Sequence, residues 1–140
     1  MQLQNPQTPP LGGAESLAEA RRRTLDLVAP VSEPDLNRQH APLMSPLVWD
    51  LGHIAAFEDL WVSQQAGVDL LRPDLAGVYD ATETPRPRRG DLPYLRRDEA
   101  VAYMDAVRER ALSVLDRVDP FITEMLAQHE HQHNETMLQT

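Results

Sequence analysis

The side chains with the most capacity for chemistry are histidines, and three of the five in the chain fall within five residues, His129, His131 and His133, in the run HEHQH. On an α-helix, residues four apart differ by only about 40° in azimuth and about 6 Å in height, so His129 and His133 can address one ion from one face. His131 sits about 160° away from either and turns outward with Glu124 and Gln128. The same spacing places His129 and His133 on an inward arc with Ile122, Met125, Leu126 and Met137. By itself an HxxxH pair also fits two hydrogen-bonded histidines at a surface. His53 shifts the balance, because it shares an apolar helix face with Trp49, Ala56, Phe57 and Leu60, where an unpaired imidazole is costly to desolvate. Helical bundles build metal sites from side chains on facing helices, so His53, His129 and His133 form a natural ligand set. Three neutral nitrogens leave coordination positions open for water, substrate or oxygen. Zinc, iron, nickel and copper all accept imidazole, and spacing does not choose among them. His40, in a proline-flanked loop, reads as surface, and Glu130 and Glu135 read as a solvated helix face.

Read literally, residues 129–133 also match HExxH, in which two helical histidines hold zinc and the glutamate serves as general base for peptide hydrolysis. Three features weigh against it. No HxxGxxH extension follows, only seven residues remain after His133, and no strand pattern offers an edge to hold an extended substrate.

These residues need elements to position them. From Ser16 to Val28, Leu17, Ala20, Thr24, Leu25 and Val28 recur at helical steps, and Pro30 and Pro34 follow as stops. A second helix opens with Ser45 as N-cap and Pro46 at the first helical position, carries His53, and stops at Gly67. Leu47, Leu51, Ile54 and Trp61 give it a second apolar face, as suits a bundle interior. A proline-rich connection without sustained period reaches from Gly67 to about Asp98, a length more often functional than neutral. A third helix carries Val101, Met104, Val107, Ala111 and Val118, and Asp119 followed by Pro120 starts a fourth, which still runs at Thr140. The expectation is an all-α four-helix bundle with a long loop between helices 2 and 3, over residues 14–140, preceded by a flexible segment, 1–13. A final helix without a stop points to one module of something longer.

With 140 residues the chain is long enough for one core without staples, and with no cysteine any metal must be held by His, Asp or Glu. A net charge of −9 opposes binding to nucleic acid or anionic membranes. No secretory leader or membrane-length apolar run is visible, so a cytoplasmic protein is expected.

The blocks SPLVWDLGHIAAFEDLW around His53 and QHEHQHNETML around His129 and His133, with the long loop between them, resemble the N-terminal DinB-like domain of the iron(II)-dependent sulfoxide synthases of ergothioneine biosynthesis, the hercynine oxygenases. The resemblance covers most of the chain from about Ser16. It implies that His53, His129 and His133 are Fe(II) ligands, leaving three facial positions for hercynine, a sulfur substrate and O2. The implied reaction joins the imidazole carbon of hercynine to the sulfur of γ-glutamylcysteine or cysteine and oxidises that sulfur to the sulfoxide. It further implies that Gln132 contacts the hercynine side of the pocket. The arginines of TPRPRRG, Arg86 and Arg89 above all, would grip the thiol substrate's carboxylates, a task that suits a bidentate guanidinium. Members of that family continue into a domain similar to formylglycine-generating enzymes, which has no counterpart here. The 140-residue chain alone is therefore expected to bind metal but to turn over little or not at all. Two other functions remain open at this point: a DinB-like thiol S-transferase using Zn(II) on the same histidines, and a non-catalytic helical module that binds a partner and no metal.

Overall fold

The computed structural model describes residues 12–81, 89 and 94–139. Among them the architecture is all-helical: α1 Gly13–Val28, a short α2 Glu33–Asn37, α3 Leu47–Ala66, α4 Arg97–Ser113 and α5 Pro120–Leu138, with single 3-10 turns at Pro73–Leu75 and Leu115–Arg117. The four long helices form the expected bundle, with α1 against α5 and α3 against both α4 and α5. None of the helices is long and apolar enough to cross a membrane.

Helix boundaries follow local chemistry. Asp119 accepts a hydrogen bond from the Phe121 N–H at 2.8 Å while Pro120 takes a position that needs no donor, as read from the sequence. Gly67, at φ 69, ends α3 in the left-handed region. Three expectations change. Pro46 rather than Ser45 is the cap residue of α3, since its ψ of 139 is still extended, and the Ser45 hydroxyl accepts a hydrogen bond from Arg89 Nη1 at 2.9 Å. Helix 3 of the sequence reading stops at Ser113 instead of reaching Val118: Val114 leaves the helical region at φ −120, and a 3-10 turn carries the chain towards α5. Pro34, read as a stop, instead starts α2.

The core is two apolar clusters. One gathers Val28, Ile54, Ala55, Met104, Val107 and Met137 with their neighbours; the other gathers Leu17, Val62, Ala111, Leu126 and Ala127. Along every long helix a charged residue falls between members of the two: Arg21 in α1, Glu58 in α3, Arg108 in α4 and Glu130 in α5. Arg21 Nε lies 3.0 Å from Glu130, and Arg108 lies 3.0 Å from Glu58 and 3.4 Å from Glu130, so the four charges cancel in one buried layer. Burial alone would lower the pKa of Arg108, but the hydrogen bond and charge of Glu58, with Glu130 behind them, raise it above the usual value. Glu130, expected in solvent, is 1% exposed. This corrects the sequence reading, which had no view of Arg21 and Arg108 on two other helices.

One glycine is required for close approach. A Cβ on Gly52 would overlap the ring of Tyr79, which packs directly on the α3 backbone there. Gly52→Ala is expected to destabilise the chain by about 1–3 kcal/mol or more, read as a lower urea midpoint at unchanged slope.

Candidate metal centre

α3 and α5 bring His53, His129 and His133 together: one ligand-capable atom from each lies within 4.8 Å of the others, with His53 buried and the other two half-buried. Each ring is held. His53 Nδ1 donates to the carbonyl of Tyr79 at 2.7 Å, which puts its proton on that nitrogen and leaves the Nε2 lone pair free. Its ring lies flat on Trp49, with centroids 4.7 Å apart and planes 10° apart, and Trp49 is fixed in turn by its indole N–H on the Val78 carbonyl. His133 Nδ1 donates to Asp50 Oδ1 at 2.9 Å. His129 stacks on Phe57 with centroids 3.7 Å apart.

Burial drives the pKa of His53 down to about 4, assisted by the neighbouring His133, and that of His129 down to about 3, assisted by His133 and His53. Both are therefore neutral at pH 7 and present lone pairs instead of protons. A neutral imidazole whose other nitrogen is tied to a carbonyl or carboxylate is the standard form of a histidine metal ligand, so the donor set fits a divalent ion.

The centre is at the edge of the bundle. The fully buried stripe of α5 is Thr123, Leu126, Ala127, Glu130, Asn134 and Met137, whereas Ile122, Met125, His129 and His133 are half-buried beside it. The three expected histidines do lie together, but the middle of the buried arc lies further from them than the sequence pattern suggested. A cavity of about 430 Å³ opens next to His53, walled by Phe57, Leu60, Ala76, Tyr79 and Asp80 among others. Its floor is made rigid by Asp59, which accepts from the N–H groups of Leu71 and Arg72 and pairs with Arg110 at 2.6 Å. Tyr103 lines the same cavity, its pKa pushed up by burial and by Asp59, so the phenol keeps its proton.

Of the other expected site residues, Arg89 is 5% exposed and stacks on Trp49 at 3.9 Å, one ring removed from His53. Arg86 lies outside the described residues. Gln132 is exposed and borders a different hollow, with Glu19, Arg23, Gln128, His131 and Glu135 on the outer side of α1 and α5. His131 turns outward as its helical phase requires, and His40 is exposed.

A family model described as the DinB superfamily matches residues 16–137. The chain belongs to the DinB superfamily. Within it, the sequence is 46% identical over 133 residues to the hercynine oxygenase of Mycolicibacterium smegmatis, covering 90% of this chain and 31% of that protein. It is 45% identical over 135 residues to the hercynine oxygenase of Mycolicibacterium thermoresistibile (90% and 30%), and 46% identical over 132 residues to that of Mycobacterium tuberculosis (88% and 30%). The chain thus spans about a third of the length of the curated relatives it matches.

Sequence reasoning missed two supports of this DinB centre. Asp50 lies three residues before His53 in an otherwise apolar run and is only 3% exposed, a signal that a buried carboxylate there must have a cationic or hydrogen-bonding partner. The Tyr79 carbonyl comes from the long loop and left no trace in the sequence. Asp50→Asn is expected to keep the fold and weaken divalent-metal binding by roughly 10–100-fold, measured by competition with a chromophoric chelator.

Proposed function

We propose that this chain is the metal-binding domain of a hercynine oxygenase, holding Fe(II) through His53, His129 and His133. The observation that carries the reading is the identity of 45–46% to three hercynine oxygenases over about nine-tenths of the chain, while the DinB match over residues 16–137 spans all three histidines. Bound there, the iron would supply O2 activation and a site for the sulfur substrate. The overall reaction balances as hercynine C–H plus thiol S–H plus O2 giving the sulfoxide and water.

In this reading the chain's own residues orient and shield. Tyr79 and Asp50 fix the proton-bearing nitrogens of His53 and His133, so the opposite nitrogens face the ion. Trp49 and Phe57 cover two ligand rings with apolar surface and limit water at the centre. Arg89, stacked on Trp49 and held by Ser45, is a fixed positive charge suited to a carboxylate of γ-glutamylcysteine or cysteine, with Arg86 of the same segment as its companion. The hercynine contact expected of Gln132 rests on the resemblance alone, because its side chain borders the outer hollow and not the cavity beside His53. The remaining two-thirds of the relatives' length supplies the rest of the catalytic site, including the domain similar to formylglycine-generating enzymes.

The test is a chimera that joins this chain to the remaining part of the M. smegmatis relative, loaded anaerobically with Fe(II) and given hercynine, γ-glutamylcysteine or cysteine, and air. Mass-spectrometric detection of the sulfoxide from the chimera, with none above background from the 140-residue chain, is the expected result. A folded, iron-loaded chimera without product would contradict the assignment. Oxygen-independent transfer of a small thiol with Zn(II) bound would select the thiol S-transferase reading instead.

A further inference from the structure

We infer that the buried charge layer sets the rotation of α5, and that Glu130 is a positioning residue for the histidine triad. The two carboxylates of the layer sit on the two helices that carry the ligands: Glu58 follows His53 by five residues on α3, and Glu130 directly follows His129 on α5. The two guanidinium groups come from the other two helices and are shared between those carboxylates. Arg108 contacts Glu58 at 3.0 Å and Glu130 at 3.4 Å, and Arg21 contacts Glu130 at 3.0 Å and Glu58 at 3.7 Å. Thr24 adds a 2.6 Å hydrogen bond from its hydroxyl to Glu130 Oε2.

Apolar packing alone does not specify the phase of α5. Its apolar residues spread over two arcs, with Leu126, Ala127 and Met137 in the core stripe and Ile122 and Met125 on the flank. Apolar burial is non-directional, so turning the helix by tens of degrees exchanges one set for the other. A carboxylate at 1% exposure has no such freedom, because only one rotation places it between Arg21 and Arg108. His129 and His133 lie about 100° and about 60° from Glu130 on the same side of the helix, so its anchoring turns both towards α3 and His53. The layer exchanges apolar core for registry, the best-attested use of buried charge.

This rests on the metal reading of the triad, and the test separates the two. Co(II) is titrated into the wild-type chain, into Glu130→Gln, and into a variant in which the whole layer is apolar, Arg21→Met, Glu58→Leu, Arg108→Met and Glu130→Leu. Replacing a complete buried charge group with apolar side chains commonly leaves a fold at least as stable, so the second variant covers failure of the first to fold. Thr24→Val, which removes the hydroxyl's hydrogen bond to Glu130 together with its contacts to the Ala20 carbonyl and Asn134 but leaves every charge of the layer in place, provides a milder third. Each variant whose helical circular dichroism matches the wild type is expected to bind Co(II) more weakly, by roughly tenfold or more for the first two, and with an altered visible spectrum at saturation. Wild-type affinity and spectrum in such a variant would overturn the role of Glu130 alone. A wild-type chain that binds no Co(II) would remove the metal reading and this inference together.

Discussion

His53→Ala removes stoichiometric metal binding from a chain that remains folded. Breaking an outer partner of a metal-bound histidine costs roughly 10–100-fold in affinity, so deleting a ligand exceeds about 100-fold. The fold survives because neither the buried charge layer nor the α1–α5 contact uses His53. His131→Ala is the matched control. That side chain borders the outer hollow with Glu19 and Gln128, and its loss leaves binding unchanged. Isothermal titration of the apo-proteins with Zn(II) or anaerobic Fe(II) measures both. Loss of binding in His131→Ala, with His53→Ala unaffected, would instead favour an HEHQH site independent of α3.

The largest effect on stability is expected at Arg108. In Arg108→Ala, Glu58 and Glu130, at 3% and 1% exposure, share the single guanidinium of Arg21. Leaving a buried charge short of its partner costs about 3–5 kcal/mol, a large part of the net stability of a domain this size. The hydrogen bond from Arg108 Nη1 to the Leu17 carbonyl at 2.9 Å is lost as well. Urea denaturation is expected to show that drop, whereas Arg23→Ala, which breaks an exposed i,i+4 pair with Glu19, changes stability by less than about 0.5 kcal/mol. Equal and small effects would mean that water reaches the layer.

How much of this was legible in the sequence varied with the range of the interaction. Cap-and-proline signals and the glycine stop located the long helices, because those rules act within one turn; Gly67 and Pro120 are examples. The histidines were legible because an imidazole on the face of Trp49 and Phe57 has to find a partner. Glu130 was misread for the complementary reason. Its neighbours in sequence are polar, and the arginines that justify its burial lie 109 and 22 residues away. Arg21 likewise hid in an RRR run although it lies on the stripe of Leu17, Thr24 and Val28. The end of α4 and the use of Ser45 by Arg89 depend on contacts with distant segments, which no local pattern encodes.

The central claim is that His53, His129 and His133 together hold one metal ion, and X-ray absorption of the Fe(II)-loaded chain tests it most directly. About three imidazole ligands with Fe–N distances near 2.1 Å, completed by oxygen donors and reduced to about two imidazoles in His53→Ala, is the result predicted. An ion bound through oxygen alone, or the same imidazole count with and without His53, would contradict it.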